Sequence, residues 1–295
     1  MPAKVRFRAP PNRRVNHTAW QDRSVVTDPR LRSARLYPDL ERLRAQVELS
    51  WDQEAELLRQ LGLRDGMSVV DLGSGPGFFA ERLLELLPAS SVTAVDLDPD
   101  MNQAAAELLA PYAGRLNLVP ASVTNTTLDE DAFDFAIARF VFQHVHAPDL
   151  AAAEMLHVLK PGGRALVMDV DDACGGFVSP RFPALEAVGP KAAALQAARA
   201  GDRCVGRKLW SLLHACGFEQ LALRTIAVHS DQAGLDAFRP QYDPWRYLPF
   251  IQPGGLSEQE WQAYAADFAA FFAAPDAYIL QLHLAVSGVK PSAMS

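Results

Sequence analysis

The residues of this chain best placed to do chemistry are two aspartates flanking a glycine turn. Asp71 stands two positions before Gly73, and Gly75 and Gly77 follow at alternate positions, with Ser74 between the first pair. Glycine lets backbone come close to a ligand because no Cβ intervenes. The spacing is G-x-G-x-G. A dinucleotide fingerprint, G-x-G-x-x-G, needs glycine at position 78, where the chain has Phe78. A carboxylate directly ahead of the glycines also suits a cationic ammonium better than a pyrophosphate. Backbone amides of such a turn are able to meet a ligand's carboxylate. Asp96 follows Gly77 by nineteen residues and ends an apolar run, 92–95. An acidic side chain there can accept both ribose hydroxyl hydrogens, a feature shared with NAD enzymes. Leu97 and Met101 are candidates to pack on an adenine. Asp98, Pro99 and Asp100 read as the start of the next helix. The chemistry indicated is binding of a nucleoside that carries an ammonium group.

Alternating strands and helices must position these groups. Short, nearly all-apolar runs at 68–72, 91–96, 116–119, 133–138 and 164–170 read as strands covered on both faces. Helical patterns fall at 77–87, 99–112 and 149–159, the last ended by Lys160, Pro161, Gly162 and Gly163. A helix over 206–215 and strands at 221–230 and 278–288 complete a seven-stranded, mostly parallel sheet with helices on both faces, a Rossmann-like α/β fold. An amphipathic helix over 37–51 precedes it. Two segments exceed ordinary connections: 175–202, alanine-rich, and 231–277, where aromatic residues alternate with prolines and Ser257 and Glu260 form a capping box. The organisation expected is an arm and helical lid over 1–64, then one domain over 65–295 carrying both insertions on its substrate side.

The Asp71–Gly77 segment, the order of strands and the Leu159–Gly163 turn resemble the class I S-adenosylmethionine-dependent methyltransferases, over roughly residues 65–170. Gly206–Phe218 extends the likeness. The resemblance implies S-adenosylmethionine as cofactor. It places Ser122 and Val123, after the third strand, at the adenine; many relatives carry an aspartate where this chain has Ser122. It places Arg139 and Phe140, at the end of the fourth strand, beside the sulfonium. The match is specific for the superfamily and weak for substrate.

Methyl transfer needs acceptor and methyl held in line, and orientation alone supplies roughly 7–11 kcal/mol. A general base adds about 10²–10⁴-fold where the acceptor must lose a proton. His144 is the candidate, with a structural role under the cofactor as the competing reading. Arg139 is placed to orient an acidic acceptor or the cofactor carboxylate, or to form a surface salt bridge. Asp171 and Asp172 sit on the rim after the fifth strand, as site or capping groups. Tyr242, Trp245 and Tyr247 line an acceptor pocket or pin their own loop. Tyr37 is a lid contact, or its helix a dimerisation surface. The tetrapeptide after the fourth strand, Ala138–Val141, is unlike N-P-P-Y/F, which disfavours amino-group methylation of nucleic acid or glutamine.

The formal charge of −7 argues against a nucleic-acid partner. The first forty residues nevertheless hold nine Lys/Arg against three Asp/Glu, leaving 19 against 32 elsewhere. That arm is expected to lie on the acidic body or on a second copy, giving a homo-oligomer. There is no run of eighteen apolar residues and no secretory signal, and the three cysteines lack metal-ligand spacing; a membrane-free, cytoplasmic protein without a metal is expected. The acceptor expected is a small hydrophobic or aromatic metabolite. A protein or peptide substrate, and a non-catalytic cofactor-binding protein, are the alternatives.

Overall fold

In the computed structural model, which describes residues 29–252 and 254–292 with side chains from residue 39 onward, the first element is a long helix, α1 (Pro29–Gln60). It extends well past both ends of the helix expected over 37–51. The described residues from 38 onward form one packed unit. The chain then alternates: β1 (Ser68–Leu72), α2 (Phe78–Leu86), β2 (Ser91–Asp96), α3 (Pro99–Leu108), β3 (Leu116–Pro120), β4 (Phe133–Arg139), α4 (Pro148–Val158) and β5 (Leu159–Asp169). After these come β6 (Gly176–Ser179), α5 (Pro183–Ala197), α6 (Leu209–Ala215), β7 (Glu219–His229), the single turns α7 (Ser230–Ala233) and α8 (Arg239–Tyr242), α9 (Glu258–Ala273) and β8 (Tyr278–Val289).

The sheet runs β3-β2-β1-β4-β5 in parallel, then β8 antiparallel to β5, with β7 on the other edge of β8. The parallel α/β architecture is as the sequence predicts. The sheet has eight strands rather than seven: β6, inside the expected 175–202 insertion, pairs with residues 278–281 of β8 beyond the end of β5. The Leu159–Gly163 turn lies within β5, accommodated by a register shift opposite Phe133–Phe135.

Period-two alternation divides the core. Val69, Ala94, Phe135, Ile137 and Met168 point into the layer containing Leu57, Leu58, Phe79 and Leu83 of α1 and α2. Val70, Leu72, Val95, Ala136 and Val167 point into the opposite layer with Met155, Leu209 and Leu213 of α4 and α6. Chain order reverses across β1, with β2 on one side and β4 on the other. In open α/β sheets this is where a crevice forms at the carboxyl ends of the strands. Asp71, Asp96 and Arg139 all lie at those ends.

One buried ion pair ties α1 to this crevice. Arg139, at the end of β4, meets both oxygens of Glu54 on α1, Nε to Oε2 at 2.8 Å and Nη2 to Oε1 at 2.9 Å. The side chains are 7% and 1% exposed. Nη2 also donates to the Gln46 carbonyl oxygen at 2.8 Å and to Ser50 Oγ at 3.1 Å. Phe140 lies under the guanidinium at 4.5 Å. Removing one member of such a pair strands the other charge in a dry site. Glu54→Ala is therefore expected to lower stability by about 3–5 kcal/mol in urea denaturation, with Glu54→Ala/Arg139→Met losing less than Glu54→Ala alone.

Candidate functional site

The glycine turn is built by hydrogen bonds to β2. Gly73 and Ser74 N–H donate to the Val95 carbonyl oxygen at 2.8 and 3.0 Å, Gly75 N–H to Asp96 Oδ2 at 2.8 Å, and Gly77 N–H to the Ser74 carbonyl oxygen at 3.1 Å. The amides expected to meet a ligand carboxylate are thus already donating within the protein. The three glycines serve different needs, all at positive φ. A Cβ on Gly73 would lie 2.5 Å from Val141 Cγ2, and one on Gly77 would lie 2.8 Å from Leu109 Cδ1. At Gly75 (φ 55°) a Cβ would project into open space. Gly73 and Gly77 therefore permit packing, and Gly75 presents bare backbone to the crevice.

Asp71 is 1% exposed, and its Oδ2 has no hydrogen-bond partner. Burial pushes its pKa up to about 7; Arg139 pulls the other way, and Asp96 and Glu54 add to the rise. Arg139 gives Nε and Nη2 to α1, and no hydrogen bond from it reaches Asp71 Oδ2. A buried carboxylate of this kind needs a cationic or hydrogen-donating partner.

Asp96 is half-buried at the end of β2. Its carboxylate also accepts from Asp98 N–H at 2.9 Å, holding it at the crevice. Asp98 caps α3, accepting from Asp100 N–H at 2.8 Å, with Pro99 opening the helix. Leu97 is 70% exposed beside Asp96, an apolar side chain available to a flat ring; Met101 is half-buried on the first turn of α3. Val123 is buried, and Ser122 Oγ lies 2.8 Å from Thr124 Oγ1, so that hydroxyl is engaged within its own turn.

Beyond β4 the chain reverses at Phe140, a non-glycine residue at φ 56°. This sparsely populated conformation turns Val141 back onto Gly73. A short 3₁₀ turn, Phe142–His144, follows. It is held by Asp169, fully buried at the end of β5, whose Oδ2 accepts from Gln143 N–H at 3.0 Å. Burial raises the Asp169 pKa to about 7.

His144 closes this turn. Although its outer edge meets solvent, the protein around it pushes its pKa down to about 4, and Arg203, Arg42 and Arg246 add to the effect. Gln196 of α5 donates Nε2–H to the Gln143 carbonyl oxygen at 2.9 Å and lies 3.3 Å from His144 Nδ1. The first bond identifies the amide nitrogen, so Nδ1 accepts and Nε2 carries the proton. A general base acting through Nε2 would instead need its lone pair free at that nitrogen.

The other expected site residues have these surroundings. Arg139 is committed to Glu54, and Phe140 is buried between Arg139 and His283, its ring 4.7 Å from the imidazole. Asp171 binds Arg207, and Asp172 binds Arg203 at 2.7 Å, both holding the loop after β5. Tyr247 is buried within the second insertion, its ring 4.7 Å from Tyr264. Tyr242 Oη accepts from Gln281 of β8 at 3.1 Å. Trp245 is half-buried, its backbone N–H donating to Asp243. Tyr37 lies on α1, with its side chain outside the described residues. The capping box of α9 is present, Ser257 Oγ accepting from Glu260 N–H. Glu54, Asp169, Gln196 and the arginines at 42, 203 and 246 were not singled out in the sequence; they stand in no motif. Among the described residues no His, Cys, Asp or Glu cluster could hold a metal ion, and no helix is long and apolar enough to cross a membrane.

Residues 69–163 match the family model described as "Methyltransferase domain". The matched segment carries the glycine turn, β2 and β4, the part of the chain that resembles the class I S-adenosylmethionine-dependent methyltransferases. It is 32% identical over 137 residues to the ubiquinone/menaquinone biosynthesis C-methyltransferase UbiE of Syntrophotalea carbinolica, covering 46% of this chain and 58% of that one. An uncharacterized methyltransferase of Mycobacterium ulcerans is 34% identical over 102 residues, covering 35% and 38%. The match thus spans 58% and 38% of the lengths of these two curated relatives. Among solved structures it is similar to phosphoethanolamine N-methyltransferase 2 of Haemonchus contortus (TM-score 0.54, 18% identity, 82% of this chain and 53% of that one). It is also similar to the [4+2]-cyclase SpnF (TM-score 0.51, 22% identity, covering 82% and 84%). At these identities the likeness defines the fold.

The partnerless Asp71 carboxylate has a consequence for stability. Its folded pKa, about 7, lies above the unfolded value near 3.8. The folded state therefore holds the proton longer, and stability falls as pH rises from about 4 to 7. Asp71→Asn keeps the shape without the charge. It is expected to be more stable than the parent at pH 8, by on the order of 3–4 kcal/mol, and nearly equal at pH 4. Equal or lower stability at pH 8 in chemical denaturation would contradict this reading of the site.

Proposed function

We propose that this chain is a methyltransferase that uses S-adenosylmethionine to methylate a small molecule. One observation carries the proposal: a buried, partnerless carboxylate at the end of β1 stands across bare glycine backbone from a second carboxylate at the end of β2. This arrangement fits a nucleoside bearing an amino-acid tail. Asp71 would hold the ammonium and Asp96 the ribose hydroxyls. Leu97, with Met101, would cover one face of the adenine, and Gly75 would allow the close approach. Val123, with the Ser122 backbone, supports the far side of that pocket.

When bound, the cofactor supplies a methyl group on a positively charged sulfur. What this chain contributes is placement. Asp169 fixes the Phe142–His144 turn, Gln196 fixes the His144 ring, and the Nε2–H is left to orient an acceptor by hydrogen bonding. A neutral imidazole with pKa about 4 is a weak base at neutral pH. The mechanism supported is alignment of an already nucleophilic acceptor, with the turn after β4 as its floor. The acceptor is proposed to be a small metabolite. The relatives named as quinone C-methyltransferases make an electron-rich ring carbon the first atom to test.

Binding and turnover can be separated experimentally. At a hundred times its dissociation constant a ligand stabilises by about 2.7 kcal/mol. S-adenosylmethionine and S-adenosylhomocysteine are expected to raise the melting temperature, NAD to leave it unchanged, and Asp96→Ala to lose the shift. Transfer of labelled methyl to a hydroquinone panel then identifies an enzyme. Stabilisation by NAD alone would reject the proposal. Tight binding with no transfer to any acceptor panel would favour a cofactor-binding protein.

A further inference from the structure

Three arginines, supplied by parts of the chain far apart in sequence, gather around His144. Arg42 comes from α1, Arg203 from the loop after α5, and Arg246 from the second insertion. Buried Gln241 joins two of them: its Nε2–H donates to the Arg42 carbonyl oxygen at 2.8 Å, and its own carbonyl oxygen accepts from Arg246 Nη1 at 2.8 Å. Arg203 Nη1 donates to Gln143 Oε1 at 2.6 Å, next to His144 in the chain. Gln196 bridges the same turn from α5.

The charges in this ring do not balance. Arg42 is paired with Asp39, at 3.0 Å, and Arg203 with Asp172, at 2.7 Å. The Arg246 guanidinium has a backbone carbonyl and the face of Tyr247, 5.8 Å away, and no carboxylate among the described residues. It is half-buried, and the neutral His144 contributes no compensating charge. The mutual repulsion is visible in the ring itself: Arg246 and Arg203 both act to lower the pKa of Arg42, beside the effect of its burial. Val141, three residues before His144, packs on Gly73 of the glycine turn. Arg246, tied to Arg42 through Gln241, acts on His144 at the end of this turn, so the uncompensated cation lies within electrostatic reach of the turn after β4.

Building on the methyltransferase reading, we propose that the acceptor carries an anionic group, a carboxylate or a phosphate, which Arg246 binds with Arg42 and Arg203 around it. An anion here supplies the missing negative charge and meets a guanidinium whose planar donors match two oxygens. The His144 Nε2–H stands ready as a neighbouring donor. This narrows the acceptor from any small hydrophobic molecule to one whose anionic end anchors it while the reacting atom reaches toward the cofactor.

The test uses the full chain saturated with S-adenosylhomocysteine, whose binding is measured first and independently. Benzoate, inorganic phosphate and the neutral isostere benzamide are then titrated by NMR. Benzoate or phosphate is expected to bind at least tenfold more tightly than benzamide, whichever binds better distinguishing the two oxyanions. The His144 pKa should rise on binding. Arg246→Gln should erase the preference while keeping the parent melting temperature and S-adenosylhomocysteine affinity, and Arg246→Lys should retain part of it. Equal binding of benzoate, phosphate and benzamide, no binding of either anion, or an unchanged anion preference in folded Arg246→Gln would overturn the inference and leave the cofactor reading intact. Failure of S-adenosylhomocysteine to bind would instead strike the cofactor reading, and the anion titration, run without it, would still decide this one.

Discussion

The pairing of Arg139 with Glu54 is the interaction around which the rest of the site is arranged. It joins residues 85 positions apart, in a place dry enough that neither charge tolerates losing the other. Through it α1 is held against the carboxyl ends of β1 and β4. Nε and Nη2 of the guanidinium are given to α1, and no hydrogen bond joins Arg139 to Asp71. The result is a carboxylate buried beside a positive charge that it does not bind, with one oxygen unmatched. Stability is given up at this point, and the form of the loss, a lone anion acceptor in a closed crevice, defines what would restore it.

From that point the site divides into two electrostatic halves. The side proposed for the cofactor is acidic, with Asp71 and Asp96 about the open Cα of Gly75. The side proposed for the acceptor is basic, with Arg42, Arg203 and Arg246 acting on His144. The turn Phe142–His144 separates them, and Asp169 pins it from beneath. Both the strained backbone at Phe140 and the packing of Val141 on Gly73 serve this partition, because they bring the acceptor wall up against the glycine turn. Opposite local potentials side by side favour two different ligands and oppose their exchange.

Much of the architecture was legible because its signals are local. Apolar runs of strand length, the Asp98–Pro99 helix start and the Ser257–Glu260 capping box each express themselves within a few residues. The short strand β6 was hidden because its four residues gain their meaning only by pairing with β8, a hundred residues on. Asp71 and Asp96 announce themselves by their place around a motif. Arg139 lay in an equally suggestive place, yet its partner Glu54 belongs to a helix face with no pattern to mark it. Tyr247 illustrates the same limit: an aromatic among prolines serves a pocket or an inner core equally well in sequence, and here it packs on Tyr264. His144 was visible as a residue, but its protonation depends on Gln196 and on arginines at 42, 203 and 246, which no spacing connects.

The central claim is that Asp71 awaits the ammonium of a nucleoside cofactor. Calorimetric titration of S-adenosylhomocysteine at pH 6.5, in two buffers of different ionisation enthalpy, tests it most directly. An ammonium beside the carboxylate lowers its pKa from about 7, so binding must release a fraction of a proton and tighten as pH rises toward 8. Asp71→Asn should release none and show a flat pH profile through that window. Binding without proton release in the parent chain, or the same release in Asp71→Asn, would show that the buried carboxylate is not the group that receives the cofactor.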